Sequence, residues 1–242
     1  MHKKYKDKQF IYDGTDLTSF FIVEKIDRQL VGTIENSIID VPGRLGSRHG
    51  STNRKSKRII VTIRLLDQVD ETAEQIKDEI LPHLVKNEPK RLELPDEPDK
   101  FEMCILDGKI DWNRLFTGAR VPLIFINPEG VSFSKANKNV TMTEFTNEGT
   151  APTFMILNVI STGENPATVT NPDTNDTVTI EGLAIGDQVK VNFEEETVEV
   201  NGVLTMSTLW LESDFFMISH GLNKVELTNL NLVSIEYAER WY

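Results

Sequence analysis

The hydrophobic and polar positions of this chain alternate with a period of two over most of its length, as in half-buried β-strands. The alternation is clearest in RIIVTIRLL at 58–66 and in TVEV at 197–200. Glycine, proline and Asn-Gly signals separate the apolar runs at short intervals, which favours a sandwich or a barrel. The predicted strands are residues 58–66, 101–106, 121–126, 153–160, 177–180, 189–193, 197–200, 215–218, 225–227 and 232–237.

Three polar segments are predicted as turns rather than as sites. The glutamates at 194–196 stand between two alternating runs and predict the solvated tip of a hairpin. Asn201-Gly202 follows, and these residue types tolerate the positive φ of a tight turn. Residues 173–177 resemble the start of a calcium loop, but the glycine and the bidentate glutamate of such a loop are missing, so a turn is favoured.

One helix is predicted over residues 72–81. Thr72 and the glutamine three residues later fit a capping box, in which each side chain hydrogen-bonds a backbone N–H. Ile76 and Ile80 share one face, so the helix is expected to pack on a sheet. Pro82 is expected to end or kink it, because proline lacks the helical donor.

The net charge of −12 conceals two different halves. It opposes bulk nucleic-acid binding, which requires a basic surface. Residues 1–140 hold 23 basic and 22 acidic residues (+1), whereas residues 141–242 hold 3 and 16 (−13). This asymmetry predicts two domains, 1–140 and 141–242, with a boundary near 137–148. The first is expected to be a sandwich or barrel-like β domain carrying the helix, and the second a β-sandwich.

A basic segment at 43–58 contains no acidic residue and is rich in glycine and serine. It is not a phosphate loop, because Gly46 and Gly50 are too close together and Ser51 stands where such a loop needs lysine. An exposed loop or hairpin arm that meets a partner is favoured, and a merely solvated loop is the alternative. The candidate interface residues are Arg44, Arg48, Arg54, Lys55, Lys57 and Arg58.

The sequence offers little catalytic chemistry. Its single cysteine, Cys104, lies in an apolar run and is expected to be a core residue, so neither a disulfide nor a thiolate zinc site can form within the chain. The histidines have no metal-like spacing, and no Ser-His-Asp order or carboxylate pair emerges. We therefore expect no catalytic residues, no metal and no cofactor.

No membrane segment is expected. The basic start of the chain precedes an apolar stretch that is too short for a signal peptide. No window approaches the ~18 apolar residues of a membrane span. A soluble protein made in a cytosol is predicted.

An ordered series of stretches resembles the distal tail proteins (Dit family) of siphophages that infect Gram-positive bacteria. Each stretch alone is an ordinary turn or strand signal, and the order of the series carries the likeness. In the first half the similar residues are 41–44 with Gly46, the helix, 91–101, 121–125 and 127–128. In the second half they are 147–152, 186–189, 197–202, 221–225 and 240–242.

The resemblance implies a structural virion protein rather than an enzyme. Family members form a homo-hexameric ring whose N-terminal domains surround a channel for DNA and the tape-measure protein. The ring joins the tail tube protein to the tail-associated lysin of the tail-tip hub, and DNA passes without specific binding. The C-terminal domain is galectin-like, and the last residues can return to the first domain. A tail-tip location follows, after synthesis in the host cytoplasm.

Two other functions stay open at this stage. A sandwich could act as an adhesion module that binds cell-wall glycans through exposed aromatic residues, with Trp210 and Phe215 as candidates. The galectin pattern of His, Asn, Arg and Trp on adjacent strands is absent from the second half, which holds one histidine and one arginine. An unrecognised pair of acidic residues could also support a hydrolase.

Overall fold

The computed structural model describes residues 9–43, 45–66 and 73–242. The chain divides into two compact units, Met1–Ser132 with Tyr242, and Phe133–Trp241. The segment near 140, at which the charge asymmetry places a boundary, forms strands of the second unit. About half of the described residues lie in strands and far fewer lie in helices, so the predicted mainly β fold is confirmed.

The first unit is built on an antiparallel sheet with the strand order β2-β1-β7-β8-β9-β6-β3. A separate two-stranded sheet pairs β4 with β5. The strands are β1 (Ile11–Tyr12), β2 (Thr15–Asp16), β3 (Phe21–Arg28), β4 (Ile34–Ile39), β5 (Arg48–Arg54), β6 (Lys57–Leu65), β7 (Lys90–Glu93), β8 (Lys100–Asp107) and β9 (Val121–Asn127).

The core of the first unit lies between this sheet and a helix. Alternate residues of β6, from Ile59 to Ile63, are fully buried. Helix α1 (Ala73–Leu84) contributes Ile76 and Ile80 to the same cluster, as its apolar face predicts. The helix does not end at Pro82 but continues to Leu84. Pro82 stands in the last turn, where its missing N–H removes one bond of a helix that ends two residues later. Thr72 lies outside the described residues.

A second helix, α2 (Trp112–Phe116), was not predicted. The carboxylate of Asp111 caps it by accepting a hydrogen bond from the Arg114 N–H at 3.2 Å. Five residues are too few to show a helical period, so an N-cap residue is the signal that could have indicated this helix.

A buried carboxylate ties β3, β6 and β8 together. Glu102, on β8, is 2% exposed. Arg28, the last residue of β3, donates to its Oε1, and Lys57, the first residue of β6, lies 3.3 Å from the same atom. Asn127 donates to Oε2 at 2.9 Å, and the Ser132 hydroxyl lies 3.2 Å from Oε1. The carboxylate is therefore fully hydrogen-bonded, as burial requires.

Arg28 is held by further carboxylates. Its Nε and Nη2 donate to the two oxygens of Asp96 at 2.7 and 2.9 Å, and Glu97 lies 3.4 Å from Nη1. Burial by itself lowers the pKa of the guanidinium. The hydrogen bond to Asp96 and the charges of Asp96, Glu102 and Glu97 outweigh it and raise the pKa above its ordinary value. Arg28 is therefore charged at every working pH.

The second unit is a β-sandwich. A six-stranded sheet has the order β11-β21-β13-β16-β17-β18, a second sheet has the order β15-β14-β20, and β12 pairs with β19. The strands from Ser132 onward are β10 (Ser132–Ser134), β11 (Lys138–Val140), β12 (Glu144–Asn147), β13 (Met155–Ser161), β14 (Ala167–Thr170), β15 (Thr177–Ile180), β16 (Gln188–Asn192), β17 (Thr197–Val200), β18 (Val203–Leu204), β19 (Gly221–Lys224), β20 (Glu226–Thr228), β21 (Leu230–Tyr237) and β22 (Arg240–Trp241).

One predicted strand of the second unit, residues 215–218, is wrong. This segment makes a single isolated bridge, between Ile218 and Thr153. Phe216 and Ile218 are buried in the core, where the ring centroid of Phe216 lies 4.8 Å from that of Phe193, while Met217 is exposed. The segment therefore shows the burial of a strand without a ladder of hydrogen bonds.

The predicted turns are confirmed. Asn201 and Gly202 have φ of 53° and 77° and form the two-residue link between β17 and β18. Such a pair of positive φ values matches the right-handed twist of a hairpin. The glutamates at 194–196 form the turn between β16 and β17, and residues 173–176 form the turn between β14 and β15.

Removing the Glu102 carboxylate should destabilise the first unit strongly. Glu102→Ala leaves the buried Lys57 with an uncompensated charge, which costs about 3–5 kcal/mol when a buried pair loses one partner, whereas Arg28 keeps its bonds to Asp96. Urea unfolding followed by circular dichroism measures the change. Glu88→Ala removes an exposed carboxylate that pairs with Lys90, and should leave the transition where it is. Equal midpoints for the two variants would contradict the assignment.

Cys104 should be unreactive until the protein unfolds. Its side chain is fully buried, and burial raises the pKa of the thiol, so the reactive thiolate is suppressed. We expect slow labelling by Ellman's reagent in buffer and about one equivalent of release in denaturant, since the chain has one cysteine. Rapid stoichiometric labelling of the native protein would show that this position is open.

Candidate assembly surface

The first unit carries an exposed hairpin arm, defined here as the paired strands β4 and β5. Both strands are exposed along their whole length. They pair antiparallel with each other, and the structure records no pairing of either strand with the main sheet of the unit. Strand β5 lies within the segment 43–58, for which the sequence predicts an exposed loop or hairpin arm, whereas β4 precedes that segment.

Both faces of the arm carry aliphatic side chains beside arginines. Ile34 is paired with Arg54 across the ribbon, and Ile39 with Arg48. Ile34, Ile38 and Ile39 are 52%, 66% and 53% exposed. A two-stranded hairpin is marginally stable in water by itself, because it has no sheet or helix to cover its apolar face. The arm therefore presents an apolar and cationic surface suited to burial against another protein.

The base of the arm has no room for a side chain. A Cβ on Gly32 would lie 1.8 Å from the carbonyl oxygen of Lys55. The Lys55 N–H donates to the Thr33 carbonyl at 2.9 Å, which continues the pairing of the two strands toward the sheet. Arg28 and Lys57, on either side of the arm, bind Glu102. The position at which the arm leaves the sheet is therefore fixed by backbone contact and by a buried ion network.

The structure separates the predicted interface residues. Arg48, Arg54 and Lys55 lie on or beside the arm, and Arg58 is exposed on β6. Lys57 is 3% exposed, so its inclusion in an exposed basic segment is wrong. The period of β6 explains the burial, because position 57 shares the inward face with 59, 61 and 63. The candidate Arg44 lies outside the described residues.

Two of the basic side chains also have contacts within their own unit. Lys55 lies 3.1 Å from Glu35, across the arm. The guanidinium of Arg54 lies 3.7 Å from the ring centroid of Tyr242, which groups with the first unit. This distance fits a cation–π contact.

The other candidate sites have ordinary structural settings. Across 9–43, 45–66 and 73–242, no group of three or more His, Cys, Asp or Glu could hold a metal ion. Phe215 packs against the core with its ring 5.6 Å from that of Phe193, while Trp210 is 45% exposed. In the same ranges no helix is long and apolar enough to cross a membrane.

In fold the chain is similar to the crystal structure of Dit (gp 19.1) from phage SPP1, with a TM-score of 0.80 and 19% identity over 97% of this chain and 99% of that chain. That protein is described as a paradigm of the hub adsorption apparatus in phages that infect Gram-positive bacteria. The match to a chain of the activated phage p2 baseplate with Sr is weaker, with a TM-score of 0.52 and 12% identity over 96% of this chain and 97% of that chain.

The sequence itself matches two family models. The model of the siphovirus-type tail component C-terminal domain matches residues 148–241, and that of the phage tail protein RIFT-related domain matches residues 12–127. No curated protein sequence matches the chain significantly. Between them the two models cover most of both units, and the chain belongs to the siphophage distal tail protein family.

Proposed function

We propose that this tail component is the ring-forming subunit of a tail-tip hub. Six copies form a homo-hexamer, and each hairpin arm packs on the first unit of its neighbour. The exposure of the arm carries this proposal, because a ribbon with three aliphatic side chains more than half exposed requires a partner surface. The ring joins the tail tube to the adsorption apparatus, as the hub role of the SPP1 relative suggests.

The physics of a closed ring fits an arm of this kind. A protrusion that contacts a different surface of the next copy makes a heterologous contact, which closes into a ring when the rotation allows. Burying one isoleucine contributes about 1.5–3 kcal/mol. The arginines beside the isoleucines add charge-assisted hydrogen bonds where the neighbour offers carboxylates.

The proposed partners of the ring follow from its proposed position at the end of the tail. One side of the ring meets the tail tube protein, and the other meets the tail-associated lysin of the hub. The channel admits the tape-measure protein and DNA. A first half with a net charge of +1 is consistent with DNA that passes without being held. The acidic second half keeps neighbouring copies of its domain apart around the ring.

Replacing the exposed isoleucines of one arm face should weaken the ring. Ile34→Thr with Ile38→Thr keeps β-branched side chains and removes apolar area. Two lost isoleucines at about 1.5 kcal/mol each correspond to about 100-fold weaker association at each interface. Native mass spectrometry over a dilution series, with negative-stain microscopy of the wild-type protein, measures the six-fold assembly.

The matched control uses an apolar pair in the other unit. Val203 and Leu204 are 64% and 60% exposed on the edge strand β18. Val203→Thr with Leu204→Thr should leave the assembly unchanged, because the arm is intact. A hexamer that resists the arm substitutions, or a wild-type protein that stays monomeric at every concentration, would exclude the proposed ring contact.

Charge neutralisation tests the basic residues separately. Replacing Arg48, Arg54, Lys55 and Arg58 by glutamine should reduce assembly and flatten its salt dependence, because exposed pairs are screened by salt. Lys57 is omitted since its substitution would disturb the buried network rather than a surface. Light scattering at low and moderate salt checks the result. Identical salt profiles for this variant and the wild type would show that these charges do not face a partner.

A further inference from the structure

The outer face of the six-stranded sheet of the second unit carries a row of polar side chains, and a cavity lies above this row. The row crosses four neighbouring strands, because Glu199 is paired with Lys190, Lys190 with Asn158, and Asn158 with Ser234. The cavity above it has a volume of about 360 Å³ and is lined by the first three of these residues, together with Gln188. This volume is at the lower end of the range for small-molecule pockets.

The polar groups of the row are partly engaged with one another. The Lys190 ammonium donates to Glu199 Oε1 at 3.3 Å, and the Asn158 amide donates to Ser234 Oγ at 3.0 Å and Glu236 Oε1 at 3.1 Å. An ammonium has three donors and an amide oxygen accepts, so Lys190 retains donors and Asn158 retains its Oδ1. These hydrogen bonds hold the side chains of the row in part, and the row still presents donors beside acceptors.

Two aliphatic side chains complete the cavity. Ile160 is 37% exposed, and Val233 is 47% exposed. Val233 is the extra residue of a β-bulge, since Asn158 pairs with Ser234 and Val159 with Leu232. A bulge inserts an unpaired residue and turns its side chain away from the regular alternation. The cavity therefore has a small apolar wall next to its polar row.

We propose that this cavity binds a neutral saccharide of one or two rings. A sugar hydroxyl both donates and accepts, so neighbouring hydroxyls match a row in which the donors of Lys190 lie between the acceptors of Glu199 and Asn158. The C–H face of the ring packs on Ile160 and Val233. An anionic ligand is disfavoured, because Lys190 is neutralised by Glu199 and the second half carries a net charge of −13.

This site differs from the one that the aromatic residues suggest. Trp210 and Phe215 do not line the cavity. The proposal uses hydrogen bonds and aliphatic packing in place of aromatic stacking. It is also independent of the ring, since every residue of the cavity belongs to the second unit.

Saturation-transfer NMR on the full chain tests the proposal with a panel of glucose, galactose, rhamnose, N-acetylglucosamine and their disaccharides. We expect at least one of them to bind saturably, and a glycerol-phosphate polymer to give no signal. Lys190→Ala removes the charged donor, and Glu199→Gln replaces a charged acceptor by a neutral one, so each should weaken that binding about tenfold or more. The glutamine variant keeps the shape of the side chain and so preserves the fold.

The control is Lys224→Ala, which breaks a similar exposed ion pair, that with Glu226, outside the lining of the cavity. It should bind the sugar as the wild type does. Absence of saturable binding by every sugar of the panel would overturn the proposal. Binding that survives both Lys190→Ala and Glu199→Gln would overturn it equally, by locating the site elsewhere. The assembly state of each variant is measured in parallel, so a defect in the ring is recognised separately.

Discussion

The buried carboxylate of Glu102 is the contact on which the first unit depends. It receives Arg28 from the end of β3 and Lys57 from the start of β6, and the hairpin arm lies in the chain between those two residues. A buried ion pair often contributes little net stability compared with apolar residues of the same size. Its geometry is more demanding than that of apolar packing, however, because both cations must reach one carboxylate. The network therefore determines where the arm begins rather than how much stability the core has.

Because the ion network positions the arm, the arm can be exposed along its whole length. Within 9–43, 45–66 and 73–242 both strands of the arm are exposed along their whole length, so their own apolar contacts do not position them. The position is instead imposed at the base, by the ion network and by the contact of Gly32 with the Lys55 carbonyl. An arm held in this way is preorganised, and association then costs less ordering entropy than the folding of a free loop would.

The period of two predicted most strands, the Asn-Gly residue types predicted the turn at 201–202, and the helical spacing of Ile76 and Ile80 predicted the buried face of the first helix. It failed at 215–218 because an apolar run reports burial, and burial does not require a ladder of hydrogen bonds. The prediction that Lys57 is exposed was wrong for a different reason. Its charge suggested exposure, while its place in the alternation of β6 indicated burial, and the alternation was right. The partner, Glu102, is 45 residues away in sequence, and no local pattern connects the two.

The polar row of the second unit could not be predicted from the sequence either, because no local pattern connects its residues. Glu199, Lys190 and Asn158 come from three strands, and only the register of the sheet aligns them. A sequence search for a sugar site looks for aromatic residues, which here belong mostly to the core. The register also sets what the row can bind. Because each side chain is partly held by its neighbour, the row loses little freedom when a ligand arrives, and its remaining donors and acceptors are fixed in alternation. A ligand must supply groups that both donate and accept, and among neutral biological ligands the hydroxyls of a sugar ring meet that requirement best.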